Sequence, residues 1–445
     1  RAQATQAQAC RLKPTVEMNP LLLKPTSDTG AQVILRGKPI GNMSAIEYKD
    51  YKYKAKKEVL ASFKRLKKEF EVIVIEGAGS PAEINLKAHD IVNMKMAQAA
   101  DAPVILVGDI DKGGVFAWFV GTLELLTKGE RKRIKGFIIN KFRGDKTLLK
   151  SGIDFLEKKT GIKVLGIVPY FRDIKIPEED SVFLNDFARG KTRAEGMLNI
   201  NVIYLPHISN FTDFDALEKE PDVRLQYIGK GQDLDHPDML IIPGTKNTIA
   251  DLNYLKESGL AEKILAMVKD RPETVLIGIC GGYQMLGQRI SDPDRTESRE
   301  KEVEGLGLLP ITTHFEKEKI LSQVKAKEMT SGLEVSGYEI HHGRTQNPKD
   351  YQPAFRIVER QGEKARDADG TISEDGRIWG TYIHGVFDED AFRRDFLNRL
   401  RLKKGWPPLP QRASFNLDKE FDKLAELLRE NMDLDLFYRI LLKEV

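Results

Sequence analysis

Short apolar runs rich in β-branched residues recur along the first part of the chain, at 72–76 (Val-Ile-Val-Ile-Glu), 103–108, 136–140 and 163–168. Runs of that length bounded by polar turns predict buried strands. Amphipathic stretches such as 53–70 and 147–159 separate them, so the alternation predicts parallel strands with helices on both faces. Between about 170 and 198 the pattern breaks into Pro-Glu-Glu-Asp and Arg-Gly-Lys-Thr-Arg, a charged stretch suited to an exposed connection. A second series of apolar runs follows at 200–205, 223–228, 238–242, 274–279, 355–359 and 377–383, with helical segments between most of them. Beyond 395 two or three helices are expected. In the last, near 417–443, Leu424, Leu427, Leu428, Leu434 and Leu436 recur at a spacing that suits a packed helix. The pattern predicts an α/β protein with two doubly wound domains, 1–195 and 199–395, and a helical tail over 396–445.

Composition narrows the classes of function. At 445 residues the chain exceeds one typical core, which agrees with two domains. Its 41% hydrophobic and 31% charged residues are those of a soluble globular protein, and no run approaches the roughly 20 apolar residues needed to span a bilayer. Lys plus Arg number 70 against 67 Asp plus Glu, interleaved nearly everywhere, so neither nucleic acid nor a membrane is an expected partner. Two cysteines, Cys10 and Cys280, are too few for a disulfide framework and fit a cytoplasmic location. The opening Arg1-Ala2-Gln3-Ala4 has neither the apolar region nor the cleavage site of a signal peptide and reads like the middle of a helix.

The sharpest local signal is Val275-Leu276-Ile277-Gly278-Ile279-Cys280-Gly281-Gly282-Tyr283-Gln284. A strand running straight into a cysteine flanked by small residues, with a helical segment after it, is the layout of a nucleophile elbow. An isolated cysteine is more often a buried structural residue; the Gly-x-Cys-Gly-Gly context favours the nucleophile. The turn sets the sulfur at the carboxyl end of the sheet, beside a helix start that favours thiolate, with the Gly281 amide placed for an oxyanion. A thiol also needs a base. Tyr382-Ile383-His384-Gly385 puts a histidine at another strand end, about a hundred residues on.

These residues resemble the class I, or triad, glutamine amidotransferases, in the subgroup found in cobyric acid synthases and cobyrinic acid a,c-diamide synthases. The resemblance implies that Cys280 attacks the side-chain amide of L-glutamine to give a glutamyl thioester and ammonia, with His384 moving the proton. Typical triad enzymes carry Pro-Glu directly after the histidine. Gly385-Val386 stand here, which matches the Cys-His pair of the cobalamin subgroup and leaves Asp388 and Glu389 as acidic residues available for any third member. Asp238 to Thr248 looks like the other half of the oxyanion site: strand, Pro-Gly and helix start would aim the Gly244 and Thr245 backbone at the tetrahedral intermediate. Gln284 and His341 join Gly281 as candidates for holding glutamine, His341 within the block Gly337 to Thr345 that also carries Glu339 and Arg344. Adjacent His341 and His342 lack a cysteine or carboxylate spaced to complete a zinc site.

In the first domain, Glu76-Gly77-Ala78-Gly79-Ser80 sets a carboxylate and flexible glycines after a strand-like run, where phosphate and hydrated Mg2+ approach backbone. Met18 to Gly30, Asp109 to Gly114 and Asn140 to Asp145 add three more polar clusters, and four at successive strand ends of one parallel sheet define a ligand crevice. Their order resembles the synthetase domain of the cobyric acid synthase family, ATP-dependent amidoligases related to dethiobiotin synthetase. The resemblance implies that Glu76 holds Mg2+ and that Asn140 reads adenine. It also implies that Lys24, Thr26, Ser27, Asp28, Asp109, Asp111 and Lys112 face the phosphates or the corrinoid carboxylates. The block from Leu205 to Asp215 is family-like and is expected to couple the domains or touch substrate. No Gly-x-x-x-x-Gly-Lys-Ser/Thr phosphate loop occurs, so the resemblance leads to the expectation of a chain lacking its first strand and that loop. The implied reaction is stepwise amidation of peripheral carboxylates of adenosylcobyrinic acid a,c-diamide with glutamine, ATP and Mg2+. The alternatives are cobyrinic acid a,c-diamide synthase, or a form retaining only glutaminase or binding activity.

Overall fold

The structure is a computed structural model that describes residues 2–27, 30–87, 90–171, 174, 176, 195–298, 300–411 and 417–444. The chain divides into two compact units, Arg1–Glu178 with Asn416–Val445, and Glu179–Phe415. The expected tail over 396–445 is thus shared out: helix Asp390–Lys403 belongs to the second unit, and helices Leu417–Asn431 and Leu434–Leu441 belong to the first. Most of the expected connection at 170–198 lies outside the described residues.

The first unit contains β1 (Leu21–Ser27), β2 (Gly30–Leu35), β3 (Lys38–Ser44), β4 (Val104–Asp109), β5 (Ile134–Phe142) and β6 (Lys163–Pro169). Strands β4, β5 and β6 form a parallel sheet in that order, as their β-branched runs predict. Its core is built by Phe137 and Ile139 packed against Val115, Phe119 and Leu123 of helix Val115–Leu125. The helix expected over 53–70 begins earlier, at Ala45, because Ser44 and Glu47 form a capping box: Glu47 N donates to Ser44 Oγ and Ser44 N to Glu47 Oε2. The C-terminal segment passes over β6, where Gly166 bridges Met432 and Asp433 N donates to Leu165 O, and this breaks the single helix expected over 417–443.

Two expectations for this unit fail. Residues 72–76 join no sheet among the described residues, and Val74 is 88% exposed. A strand needs a hydrogen-bonded neighbour as well as apolar side chains, and composition alone does not report whether a neighbour is there. Strands β1 to β3 form a separate antiparallel sheet, so the cluster around Lys24 lies on a hairpin instead of at a parallel strand end.

The second unit is organised around a sheet whose parallel strands are β7 (Leu198–Ile203), β8 (Val223–Ile228), β9 (Met239–Ile242), β10 (Val275–Ile279) and, named here out of chain order, β18 (Ile378–Thr381). The order across it is β8, β7, β9, β10, β18, with β17 (Thr371–Ile372) antiparallel at the edge. All residues of β7, β9, β10 and β18 are buried, and β9 and β10 accordingly read as unbroken apolar runs. A second sheet holds β11 (Arg289–Ser291), β12 (Glu302–Glu304), β13 (Thr312–Glu328), β14 (Glu334–Gln346), β15 (Phe355–Arg360) and β16 (Glu363–Asp369). The run at 355–359 therefore belongs to this largely antiparallel sheet and not to the central one. Much of its long β13–β14 hairpin alternates buried and exposed residues, a weaker signal than a solid apolar run.

Candidate active site

In an open parallel sheet, ligands bind beyond the carboxyl ends of the strands where the strand order reverses. Here the reversal lies between β7 and β9. The segments after β7, β9, β10 and β18 carry Asn210 and Asp213, Gly244 and Thr245, Cys280, and His384 respectively.

Cys280 follows β10 directly and precedes helix Gly281–Leu286, with φ 50° and ψ −106°. That conformation strains a residue with a side chain by about 1–3 kcal/mol. It is held by close packing: a Cβ on Gly282 would collide with Ile242 O, and Cys280 N donates to Thr381 O at 2.8 Å. The thiol is buried and donates to Ile340 O at 3.6 Å.

His384 is fully buried, with Nδ1 2.6 Å from Asp213 Oδ2, while Asp213 Oδ1 accepts from Gly385 N at 3.1 Å. Its backbone exchanges hydrogen bonds with Tyr338, an approach that requires Gly337 because a Cβ there would strike His384 O. Tyr338 stacks on the imidazole at 5.2 Å and its hydroxyl donates to Asn210 Oδ1. The Asn210 amide nitrogen is thereby turned toward His384 Nε2, 3.1 Å away. Burial works against a charged imidazole, but the Asp213 carboxylate and the Cys280 sulfur outweigh it and lift the His384 pKa to about 10. The Asn210 donor opposes protonation of Nε2, so it counterweighs Asp213.

The loop after β9 closes the other side. A Cβ on Gly244 would lie 2.7 Å from His384 Cε1, and one on Gly281 would lie 3.3 Å from Thr245 N, so this loop packs against His384 and against the start of the helix after Cys280. Thr245 Oγ1 donates to the buried Asp251 carboxylate, which also faces His207 Nδ1 at 2.7 Å. Burial raises the Asp251 pKa against those hydrogen bonds. Gln284 is fully engaged, accepting from Thr248 Oγ1 and donating to the Tyr382 hydroxyl, each at 3.1 Å, so it braces the elbow. His341 stacks on Tyr382 at 3.7 Å and pairs through Nδ1 with Gly343 O, while its buried Nε2 has no partner among the described residues. Burial pushes its pKa down to about 3, which keeps the ring neutral. Glu339 is tied to Arg360. A nucleophile, an oriented base and converging amides together can carry out acyl transfer through a thioester.

In the first unit Asp109 and Asn140 stand side by side in register at the carboxyl ends of β4 and β5. Lys141 Nζ is 2.9 Å from Asp109, and Arg143 is 2.8 Å from Asp111 and stacks on Tyr170 at 3.7 Å. An open cavity of about 810 Å3 beside them is lined by Arg143, Tyr170, Lys423, Glu426 and Glu430 among others. Glu76 and Lys112 are exposed, Glu76 accepting from Gln6 Nε2 at 2.6 Å, and Lys24 is half-buried on β1. Thr26 and Ser27 end β1, and Asp28 lies outside the described residues. Among the described residues no three His, Cys, Asp or Glu gather to hold a metal ion. A single exposed carboxylate such as Glu76 still fits Mg2+, which takes few protein oxygens beside phosphate and water.

A CobB/CobQ-like glutamine amidotransferase domain model matches residues 199–392, and an AAA domain model matches 41–178. A cobyric acid synthase of Alkaliphilus metalliredigens is 49% identical over 99% of this chain and 89% of its own length. One from Clostridium botulinum is 49% identical over 99% of this chain and 88% of its own. A bifunctional adenosylcobalamin biosynthesis protein of Leptospira interrogans is 48% identical over 99% of this chain and 50% of its own length. The chain belongs to the cobyric acid synthase family. It is accordingly a glutamine-dependent amidoligase of cobalamin biosynthesis with a glutamine amidotransferase domain.

Within this cobyric acid synthase fold, Cys280, His384, Gly244, Thr245, Gly281, Gln284 and His341 all converge on one sheet edge. Asp109, Asp111 and Asn140 share another, while Lys24, Thr26 and Ser27 lie on the separate hairpin sheet. The acidic partner of His384 is Asp213, and neither Asp388 nor Glu389 takes that place. Asp213 precedes the histidine by 171 residues, which put it out of reach of a search near His384. The usable signal was the Asn210-Phe211-Thr212-Asp213 segment just after a predicted strand end. No helix among the described residues is long and apolar enough to cross a membrane.

Proposed function

We propose that this protein amidates several peripheral carboxylates of adenosylcobyrinic acid a,c-diamide, using glutamine as nitrogen donor and ATP with Mg2+ as activator. The reading rests first on Cys280, presented on a strained elbow beside a histidine that a buried carboxylate orients. The Cys280 thiolate attacks the side-chain carbonyl carbon of glutamine, and backbone amides near Gly281 and Thr245 take the oxyanion. The His384 imidazolium gives its proton to the departing nitrogen, so ammonia leaves and a glutamyl thioester remains. Water assisted by neutral His384 then releases glutamate and restores the thiol. In the first unit a substrate carboxylate attacks the γ-phosphorus of ATP, giving an acyl phosphate and ADP. Ammonia then displaces phosphate to form the amide. Glu76 is the residue that would hold Mg2+, whose charge stabilises the phosphoryl oxygens, with Asp109, Asp111 and Asn140 at the neighbouring strand ends.

Cys280→Ala tests the division of labour. It should abolish glutamine-driven amidation, measured as corrinoid product by mass spectrometry, and leave amidation driven by free ammonium. Loss of both together would sink the reading.

A further inference from the structure

Two charged side chains near Cys280 take no part in the chemistry above. Lys319 stands in the bulge where the β13–β14 register shifts between Phe315 and Ile320, next to the residue that faces His341. Its half-buried ammonium forms no hydrogen bond or ion pair with a described residue, yet both Cys280 and Glu297 act on its charge.

Glu297 is fixed against the residues that brace the helix after Cys280. The amides of Thr296, Glu297 and Ser298 donate to the buried Asp292 carboxylate at 2.7–3.0 Å, which sets the loop. Glu297 Oε2 accepts from Thr248 N at 3.0 Å, and Thr248 Oγ1 is bonded to Gln284 in the helix that begins after Cys280. Glu297 is thus tethered to the elbow through one residue. Burial pushes its pKa up to about 7 and pulls that of Lys319 down, so each charge is costly where it stands. No ion pair joins either to a described residue. Two opposite charges kept apart beside one thiol suit a ligand that carries both.

L-Glutamine is such a ligand, with an ammonium and a carboxylate on the carbon three bonds from its amide carbon. We propose that Lys319 binds the α-carboxylate and Glu297 the α-ammonium of the glutamine whose side-chain amide reaches Cys280. The assignment deepens the glutaminase reading and rests on it. It competes with a simpler role for Lys319, stabilising the Cys280 thiolate.

Substrates that each lack one group separate the two. Ammonia release by the full chain is measured with L-glutamine, with 4-aminobutanamide, which lacks the carboxylate, and with glutaramate, which lacks the ammonium. Lys319→Met should lower kcat/KM for L-glutamine by about 10- to 150-fold, the range for a hydrogen bond to a charged group, chiefly through KM. It should leave 4-aminobutanamide nearly unchanged, and Lys319→Arg should recover most of the loss. Glu297→Gln should mirror this, sparing glutaramate. Cys280 should still be alkylated by iodoacetamide in Lys319→Met, which reports a folded site. Equal losses on L-glutamine and 4-aminobutanamide, as a role in stabilising the thiolate would give, would overturn the assignment. Glutamine hydrolysis that survives Cys280→Ala would instead overturn the glutaminase reading itself.

Discussion

The two units hold their reactive groups in opposite ways. In the second unit Cys280 is 6% exposed and His384 not at all, and His384 is held by Asp213, Asn210 and the Tyr338 backbone. In the first unit Glu76 and Lys112 are exposed, Val74 is 88% exposed, and the carboxylates Asp109 and Asp111 are held by surface lysine and arginine. A thiol nucleophile needs a fixed base and a dry, preorganised oxyanion site, so its parts are locked before substrate arrives. Groups proposed to meet phosphate and Mg2+ would work by exchanging partners, because ions and water complete such a site. Burial therefore measures how much of each reaction the chain itself prearranges.

The largest expected effect tests the locked site. Asp213→Asn keeps shape but removes the charge that orients and sustains the His384 imidazolium, and glutamine hydrolysis should fall on the order of 10^3- to 10^4-fold. The pH dependence has a defined sign. His384 is raised in the folded state, so its contribution to stability is complete below the unfolded value of about 6.5 and fades as pH climbs toward about 10. Denaturation of wild type across that window should show the loss, and Asp213→Asn should flatten it. An unaltered slope would mean that the pair is not charged and that the site is less preorganised than its burial implies.

Much of this site was legible because its signals are local and steric. The strand, cysteine and glycines of 275–282 specify an elbow, since Gly282 has no room for a side chain against Ile242. Asp213 was not legible as a partner of His384, because a contact across 171 residues depends on which strands become neighbours. The central strands β9 and β10 are readable from solid apolar runs, whereas β13 and β14 alternate buried residues with more exposed polar ones and give no such signal. The run at 72–76 failed in the other direction: it carries strand-like residues, but pairing is a property of the neighbour and not of the run.

A smaller effect is expected in the first unit. Glu76→Gln preserves a hydrogen-bonding group for Gln6 and removes the negative charge offered to Mg2+. Amidation driven by ATP and ammonium should drop on the order of 100-fold, partly recovered at high Mg2+, with glutamine hydrolysis by Cys280 unchanged. Equal loss of both activities would erase the contrast between the units.

The smallest effect is the most direct probe of exchangeable pairing. Lys141 and Asp109 have side chains 48% and 25% exposed, against 0% and 2% for His384 and Asp213. Burial resists the charge on Asp109, but Lys141 and the Asp111 amide keep its pKa below the ordinary value. The stability it contributes is present above the unfolded pKa of about 3.8 and is lost as pH falls through the lower folded one. Solvent screens a pair this exposed, so Lys141→Met should cost the first unit less than about 1 kcal/mol in chemical denaturation, and less again at high salt. A pair so weak can open at little cost. If denaturation instead gave several kcal/mol, Lys141 would be a structural tie, and the strand ends of β4 and β5 would be as locked as the cysteine site.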